Sequence, residues 1–426
     1  MDKLIKFVSE HINDDISRLI LNRNKWPEID IDMAISCIES RKKLKGKIQE
    51  WYDDPRLIFP AKLSAEQCSS SATGRYKAML AERIASTCSG KEWRLADLTG
   101  GLGADSWFIS HKATAVLYNE MQKSLCEAAE HNFRILGANN ISISNHAVIA
   151  DDTAEGIPSN GMTPSGLLAS FRPNIVYMDP ARRGEGGKKV FLIEECTPDV
   201  LALKDEIFTL SRHILIKLSP MADITMVCRR LGNTCREVHV VASGGECKEL
   251  LIWMDREWDD EYEIIAAKLR SNGTASEFRF SPSQEAQARE RMSYAGGDAP
   301  SEEAYLFEPG KALMKAGCFN LISQEFGIAK LGVSTHYYTT ADAGKAEGLK
   351  GLGKVFRIMG IYPLDKKSIK AVGKEYPKAE VSARNIPMDT DALRKKLGVT
   401  SGDDAHIFGL KSDSAGNLLI VTERVF

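Results

Sequence analysis

From residue 94 onward, short apolar runs alternate with helical patterns, and this rhythm limits the fold more than any other feature of the chain. "RLADL" and "TAVLYNE" read as buried strands, and "SLCEAAEHNFRILG" reads as a helix that Gly137 can close as a C-cap. "NISISNH", "NIVYMD", "HILIKLS", "EVHVVAS" and "ELLIWM" are further strands. Strands separated by helices need crossover connections, so the sheet is mostly parallel with helices on both faces. The last two strands are joined by "GGECK". That is too short for a helical crossover, so this pair is expected to be antiparallel.

The chain has 426 residues, more than one core organises, so the α/β region has neighbours. Residues 1–60 read as an N-terminal helical region. Leu4, Ile5, Val8 and Ile12 recur at helical spacing, Asp14 or Asp15 can cap a second helix, and a third runs from about Asp30 to Glu50. Residues 61–280 hold the α/β domain. Residues 281–343 read as a connecting segment, polar over 281–304. Residues 344–426 read as strand, helix, strand, helix, strand, strand, a small α+β (ferredoxin-like) domain. No internal repeat or low-complexity tract interrupts this order.

Composition excludes some function classes. Hydrophobic residues make up 43% and charged residues 27%, which is ordinary for a water-soluble globular protein. No stretch approaches 18 apolar residues, and the N-terminus has early charges, so neither a membrane span nor a signal peptide is expected. Nine scattered cysteines without a C-x-x-C pair, and eight histidines without ligand spacing, argue for reduced thiols in a cytoplasm and against a metal site. Net charge is -2, yet residues 344–426 carry 15 Lys and Arg against 10 Asp and Glu. That basic end suits nucleic acid, and it equally suits a solvated surface.

The chemistry starts at "LADLTGGLGADS", residues 95–106. A phosphate-binding P-loop needs a lysine after its glycines, and none follows here. A dinucleotide fingerprint needs a third glycine where Ser106 stands, and Asp97 would repel a pyrophosphate. S-adenosylmethionine fits better, because it carries a sulfonium and an ammonium and no phosphate. Asp97 can attract the ammonium, while Thr99, Gly101 and Gly103 let the adenosine approach the backbone. Glu120, 17 positions beyond Gly103, ends the next strand and can take both ribose hydroxyls. The competing reading makes Asp97 and Glu120 solvent-facing turn acids.

Residues 94–254 resemble a class I S-adenosylmethionine-dependent methyltransferase domain. "DLTGGLG" resembles the first motif of that family, "NE" the second and "MDPARRG" the fourth. The resemblance implies a Rossmann-like seven-stranded sheet, S-adenosylmethionine as cofactor, and Asp179 beside the transferred methyl. More broadly, "EQCSSSATGRYK", "DLTGGLGAD", "YMDPARR", "KLSPMADI", "ECKELL" and "ARNIP" are similar to a bacterial group. Its members join this domain to N-terminal helices and a THUMP-like tail. The chain departs from the usual pattern at Ala147, where an acid often faces the adenine; Asp151, Asp152 or a backbone amide can substitute.

The fourth motif narrows the reaction. Asp179 and Pro180 are followed by Ala181 and Arg182, so no aromatic is offered to stack on a planar target. The stretch also resembles the DPPR-x-G of 5-methyluridine enzymes. Those need a cysteine nucleophile after the next strand, where this chain has Leu218 and Ser219, so carbon methylation by that route is not expected. Lys77, Asp179, Lys217 and Glu249 follow the K-D-K-E order of ribose 2′-O-methyltransferases, whose lysines favour the ionised hydroxyl and whose carboxylates orient them. Surface roles for Lys217 and Glu249 are the alternative. Arg182 and Arg183 can grip a substrate phosphate or brace the loop onto Glu185 or Glu194. The "EQCSSS" segment can hydrogen-bond the cofactor's methionine end, or simply cap a helix.

THUMP-type domains present RNA to attached modification domains, so the resemblance implies an RNA substrate. Lys366, Lys367, Lys370 and Lys374, then Arg394, Lys395 and Lys396, form clusters that can neutralise phosphates. The latter three also suit a helix C-terminus without any ligand. Arg384 and Asn385 of "ARNIP" can contact a nucleotide or close a turn. A folded-protein substrate and a non-catalytic RNA-binding role are the rivals of RNA methylation. A nicotinamide-dependent oxidoreductase is a further rival.

Overall fold

The structure is a computed structural model that describes residues 2–151, 158–182, 193–291 and 300–425. It divides into two compact units, the first made mainly of residues 1–243, the second mainly of residues 276–426.

In the first unit, seven strands carry the part of the sheet that bears the site: β1 (Arg94–Asp97), β2 (Ala115–Asn119), β3 (Ile141–Ser144), β4 (Ile175–Met178), β5 (His213–Leu218), β6 (Cys235–Ser243) and β7 (Glu246–Asp255). They run in the order β3-β2-β1-β4-β5-β7-β6. β3, β2, β1, β4 and β5 are parallel neighbours, and β7 lies antiparallel on β5. Both expectations drawn from connection length hold. β4 is buried at every residue, as a strand covered on both faces must be.

The N-terminal helices α1 (Asp2–Glu10), α2 (Ile16–Leu21) and α3 (Ile31–Leu44) bury Phe7, Val8, Leu19, Ile35 and Ile38 together. Asp15, not Asp14, caps α2, accepting from Arg18 N at 3.0 Å. The third helix stops at Leu44, short of Glu50, because Gly46 takes a left-handed φ of +69° that ends it. These helices are tied to the α/β part. Asn132 on α6 (Lys123–Ile135) bonds both Ile58 N and Ile58 O, at 2.8 and 2.7 Å. Before β1 runs a 15-residue helix, α4 (Ser71–Ala85), and after β1 comes α5 (Ala104–Ser110).

The second unit is a seven-stranded sheet. Its strands are β8 (Tyr305–Pro309), β9 (Ala329–Lys330), β10 (Tyr338–Thr340), β11 (Gly353–Pro363), β12 (Lys378–Arg384), β13 (Thr400–Ser412) and β14 (Gly416–Arg424). Their order is β9-β10-β8-β11-β14-β13-β12. The strand alternation is visible in β14: Leu419 and Val421 face one core, Leu418 and Ile420 the other. The first of those cores lies under α7 (Lys366–Glu375) and α8 (Thr390–Leu397). These two helices touch closely, since a Cβ on Gly373 would fall 1.8 Å from Leu397 O. Residues 281–343, expected from the sequence to be a connection, supply β8, β9 and β10 to this sheet. Arg384 and Asn385 brace it: Arg384 donates to the carbonyls of Thr335 and His336 at 3.3 Å, and Asn385 to that of Ser334 at 2.6 Å.

Candidate active site

In an open α/β sheet, ligands sit outside the carboxyl ends of the strands, where the strand order reverses. Here that point lies between β1 and β4. A cavity of about 740 Å³ opens there, large enough for a nucleoside-sized ligand. Asp97, Thr99, Gly101, Glu120, Asp179 and Lys217 line it, together with Gln67, Cys68 and Ser69 from the segment before α4.

The glycines of the turn have three different reasons to be there. Gly101 lines the cavity with φ +54°, and a Cβ on it would meet nothing closer than Thr99 O at 4.0 Å, so it leaves open room for a ligand. Gly100 packs face-on against Tyr118, whose ring a Cβ would strike at 2.2 Å. Gly103, expected at the cofactor, is not among the lining residues. It adopts φ +84° and presses on Phe133, which a Cβ would meet at 2.5 Å.

The two acids are held, not loose. Glu120 is 7% exposed and accepts from Gly101 N at 3.0 Å and Gln122 N at 2.9 Å. Asp97 is 1% exposed and accepts from Thr99 N at 3.0 Å and Ser106 Oγ at 2.6 Å. Burial, outweighing these hydrogen bonds, pushes the Asp97 carboxyl up to about 7, with Asp105 and Asp179 adding to the rise. Thr99 Oγ1 accepts from Asp179 N at 2.6 Å, so the first motif fixes the fourth.

The lysines and carboxylates of the K-D-K-E order do meet, in two pairs. Lys217 at the end of β5 pairs with Asp179, and both line the cavity. Lys77 of α4 pairs with Glu249 of β7 at 2.6 Å, and neither lines it; Lys77 is fully buried. Burial disfavours the charge of Lys217, but Asp179, Asp105 and Glu249 outweigh it and hold the ammonium above its ordinary range. Burial raises the carboxyl of Glu249 despite Lys77 and Lys217.

Some participants carry little signal in the sequence. Asp105 stands 3.4 Å from Lys77 Nζ and accepts from the Tyr177 hydroxyl at 2.7 Å. Burial raises its carboxyl, but Lys77 and Lys217 outweigh burial and bring it below the usual range. Its only signal is its place in "GLGAD". Asn119, first letter of "NE", is structural: its amide donates to the carbonyls of Leu98 and His146 at 3.1 and 3.0 Å. The residues of "EQCSSS" divide between a helix cap and the cavity wall. Ser70 caps α4 in a capping box with Thr73, while Gln67, Cys68 and Ser69 line the cavity. Lys47 secures this segment by donating to the carbonyls of Ala65 and Glu66 at 3.1 and 2.5 Å. At the expected adenine end, buried Ala147 lines the cavity, and so does Asp151. Arg183 and Asp152 lie outside the described residues, as does the side chain of Arg182. Among the described residues no His, Cys, Asp and Glu group could hold a metal ion, and no helix is long and apolar enough to cross a membrane.

Known proteins align with this architecture. A ferredoxin-like domain family matches residues 305–345, and a THUMP domain-like family matches residues 353–424. A candidate methyltransferase from Porphyromonas gingivalis W83, known by its crystal structure, superposes with a TM-score of 0.81 at 27% identity over 100% of this chain and 98% of that one. An rRNA methylase from Streptococcus thermophilus shares 10% identity over 42% of this chain and 94% of its own, with a TM-score of 0.28. No curated protein matches. The fold and the paired acids at its switch point define a class I S-adenosylmethionine-dependent methyltransferase. Within that class, the chain resembles the group that carries an associated THUMP-like domain.

The residues present fit the cofactor of this class. Gly101 offers a side without a Cβ, carboxylates outnumber cations around the cavity, and the hydroxyl of Ser69, a lining residue, is buried beside the Asp105 carboxylate. Asp97, which ends β1, and Glu120, which follows β2, both line that cavity.

Proposed function

We propose that the protein methylates RNA at an oxygen or a nitrogen, by direct transfer, with Asp179 and Lys217 beside the acceptor. S-adenosylmethionine supplies an electrophilic methyl on a positively charged sulfur, a good leaving group, so the protein's task is chiefly positioning. Asp179 takes the acceptor's proton or orients it. Lys217, held charged, fixes the Asp179 carboxylate and favours an ionised acceptor. Lys77 and Glu249, one layer deeper, keep that pair in place. Arg182 and Arg183 follow Asp179 in sequence and are assigned to substrate phosphate.

The observation that carries this reading is the Asp179–Lys217 pair at the wall of the cavity, reached from the same strand ends as Asp97 and Glu120. RNA as the substrate is supported by the THUMP-like unit, whose α7 exposes Lys366, Lys367, Lys370 and Lys374 and whose α8 exposes Lys395 and Lys396. The test is tritiated-methyl transfer to total RNA from a strain lacking the protein, followed by nucleoside mass spectrometry. Label in a 2′-O-methylnucleoside supports the K-D-K-E arrangement. Label in a base removes the ribose acceptor while keeping RNA methylation, and label only in protein overturns the RNA assignment.

A further inference from the structure

Residues 41–47, "RKKLKGK", hold five cations in seven positions, the densest cationic run of the chain. The run closes α3 and crosses the Gly46 turn. Its members divide by direction. Arg41 is buried and donates to the carbonyls of Tyr52, Asp54 and Leu57 at 2.9, 2.9 and 2.6 Å. Lys47 also turns inward, onto the carbonyls of Ala65 and Glu66. Lys42, Lys43 and Lys45 are exposed. Lys43 pairs with Glu66 at 2.7 Å, and Lys45 Nζ stands 5.9 Å from the centre of the Tyr52 ring. A helix C-terminus accounts for cations in its last turn, but Lys45 lies beyond that turn.

The run is tied to the wall of the cavity. Leu63, Ser64, Gln67 and Cys68 line that wall, and Lys43 and Lys47 hold the Ala65–Glu66 stretch between them. Ser71 N adds a third tie, donating to Lys47 O at 2.8 Å. Burial, with Lys217 and Lys248 adding to it and Cys68 opposing, lowers the Lys47 ammonium, so the run reaches the neighbourhood of the Asp179–Lys217 pair. The cavity itself has nothing to draw in a polyanion. Asp97, Asp105, Glu120, Asp151, Asp179 and Asp199 line it against the single cation Lys217. A chain of phosphates is repelled by such a lining, so its attraction has to come from cations at the border.

We infer that the exposed end of α3, Lys42 and Lys45, contacts the phosphate backbone of the RNA strand whose nucleotide enters the cavity. Arg41 and Lys47 fix the run from inside, so the outward lysines are held beside the wall and do not drift with a loose loop. The first unit then carries its own RNA contact, on its N-terminal helical region, in addition to the lysines of α7 and α8. Charge complementarity selects the occupant, and the inference rests on RNA as the substrate.

The test uses the full chain, saturating S-adenosylmethionine, and total RNA from a strain lacking the protein. Lys42→Glu combined with Lys45→Glu should raise the apparent KM for RNA by about three- to tenfold. Values of kcat and the calorimetric affinity for S-adenosylmethionine should stay within about twofold, because neither lysine touches the reacting groups. A second measurement needs no variant. Acetylation of the wild-type lysines by acetic anhydride, read by mass spectrometry, should show Lys42 and Lys45 protected when RNA is present. An unchanged KM with both lysines unprotected, or a fall in kcat without a change in KM, overturns the contact and leaves RNA methylation standing. Protection by poly-glutamate and not by RNA assigns the surface to an acidic protein and also overturns the contact. Wild type that neither binds nor methylates RNA overturns the RNA reading, and the contact with it.

Discussion

The floor of the cavity and the helical face of the second unit both concentrate charge, and they do so in opposite ways. Beneath that floor, Lys77 is fully buried and Glu249 is 3% exposed, each with a defined partner. On α7 and α8 the lysines stand in water above an apolar core of Ile369, Val372, Leu393 and Leu397. A charge taken out of water must be matched by an opposite charge in fixed geometry, so each buried residue is individually indispensable. An exposed charge is screened and replaceable, so such residues act by number. The first arrangement suits chemistry at one atom, the second attraction of a long polyanion.

If that contrast is right, single substitutions at the floor are severe and single substitutions on the helices mild. The largest effect is expected for Asp179→Asn, which should lower kcat on the order of 10²- to 10⁴-fold with cofactor affinity nearly unchanged. Parallel loss of cofactor binding would place Asp179 at the cofactor instead. Lys77→Met leaves Glu249 and Asp105 without their buried cation and should destabilise the first unit by about 3–5 kcal/mol, read by urea denaturation. A loss below about 1 kcal/mol would mean that the pair is not built as described. Glu120→Ala should weaken S-adenosylmethionine by about 10- to 100-fold, the equivalent of one or two hydrogen bonds to a carboxylate. For the helices, one lysine changed to alanine should lower RNA affinity by about twofold or less. Replacing Lys366, Lys367, Lys370 and Lys374 together should flatten the dependence of log K on log salt by roughly 0.7 for each single-strand phosphate that these lysines neutralise. An unchanged slope would remove α7 from the RNA surface.

How much of the molecule is legible in the sequence follows from what each feature depends on. The seven strands that carry the site and the β11–β14 part of the second unit are readable because their apolar runs are bounded by turns. β9 has two residues and β10 three, too short for any periodicity to register, so the stretch that holds them reads as a connection. Asp97, Glu120 and Asp179 are legible because each follows a strand and so must lie at its carboxyl end. Asp105 and Tyr177 are not, because their partners come from separate elements and only the packed structure brings them together. Gly103 misleads for a related reason. A positive φ and a close ring require glycine as firmly as a ligand does, and the sequence alone does not distinguish the two.

The central claim is a negatively charged cavity that binds a positively charged methyl donor. Asp97 is the group that titrates within reach, held up at about 7 by burial, against an ordinary value near 4 in the unfolded chain. Its folded value is raised, so the free protein loses stability as pH rises from about 4 to 7, and a bound cation restores it. The most direct measurement is therefore the calorimetric affinity of the wild-type protein for S-adenosylmethionine between pH 5.5 and 8.5. The expected result is tight, pH-independent binding above about 7 and a Kd that rises by up to about tenfold per pH unit below it, with NAD giving no heat. Absence of S-adenosylmethionine binding across that range, or binding of NAD in its place, would contradict the claim.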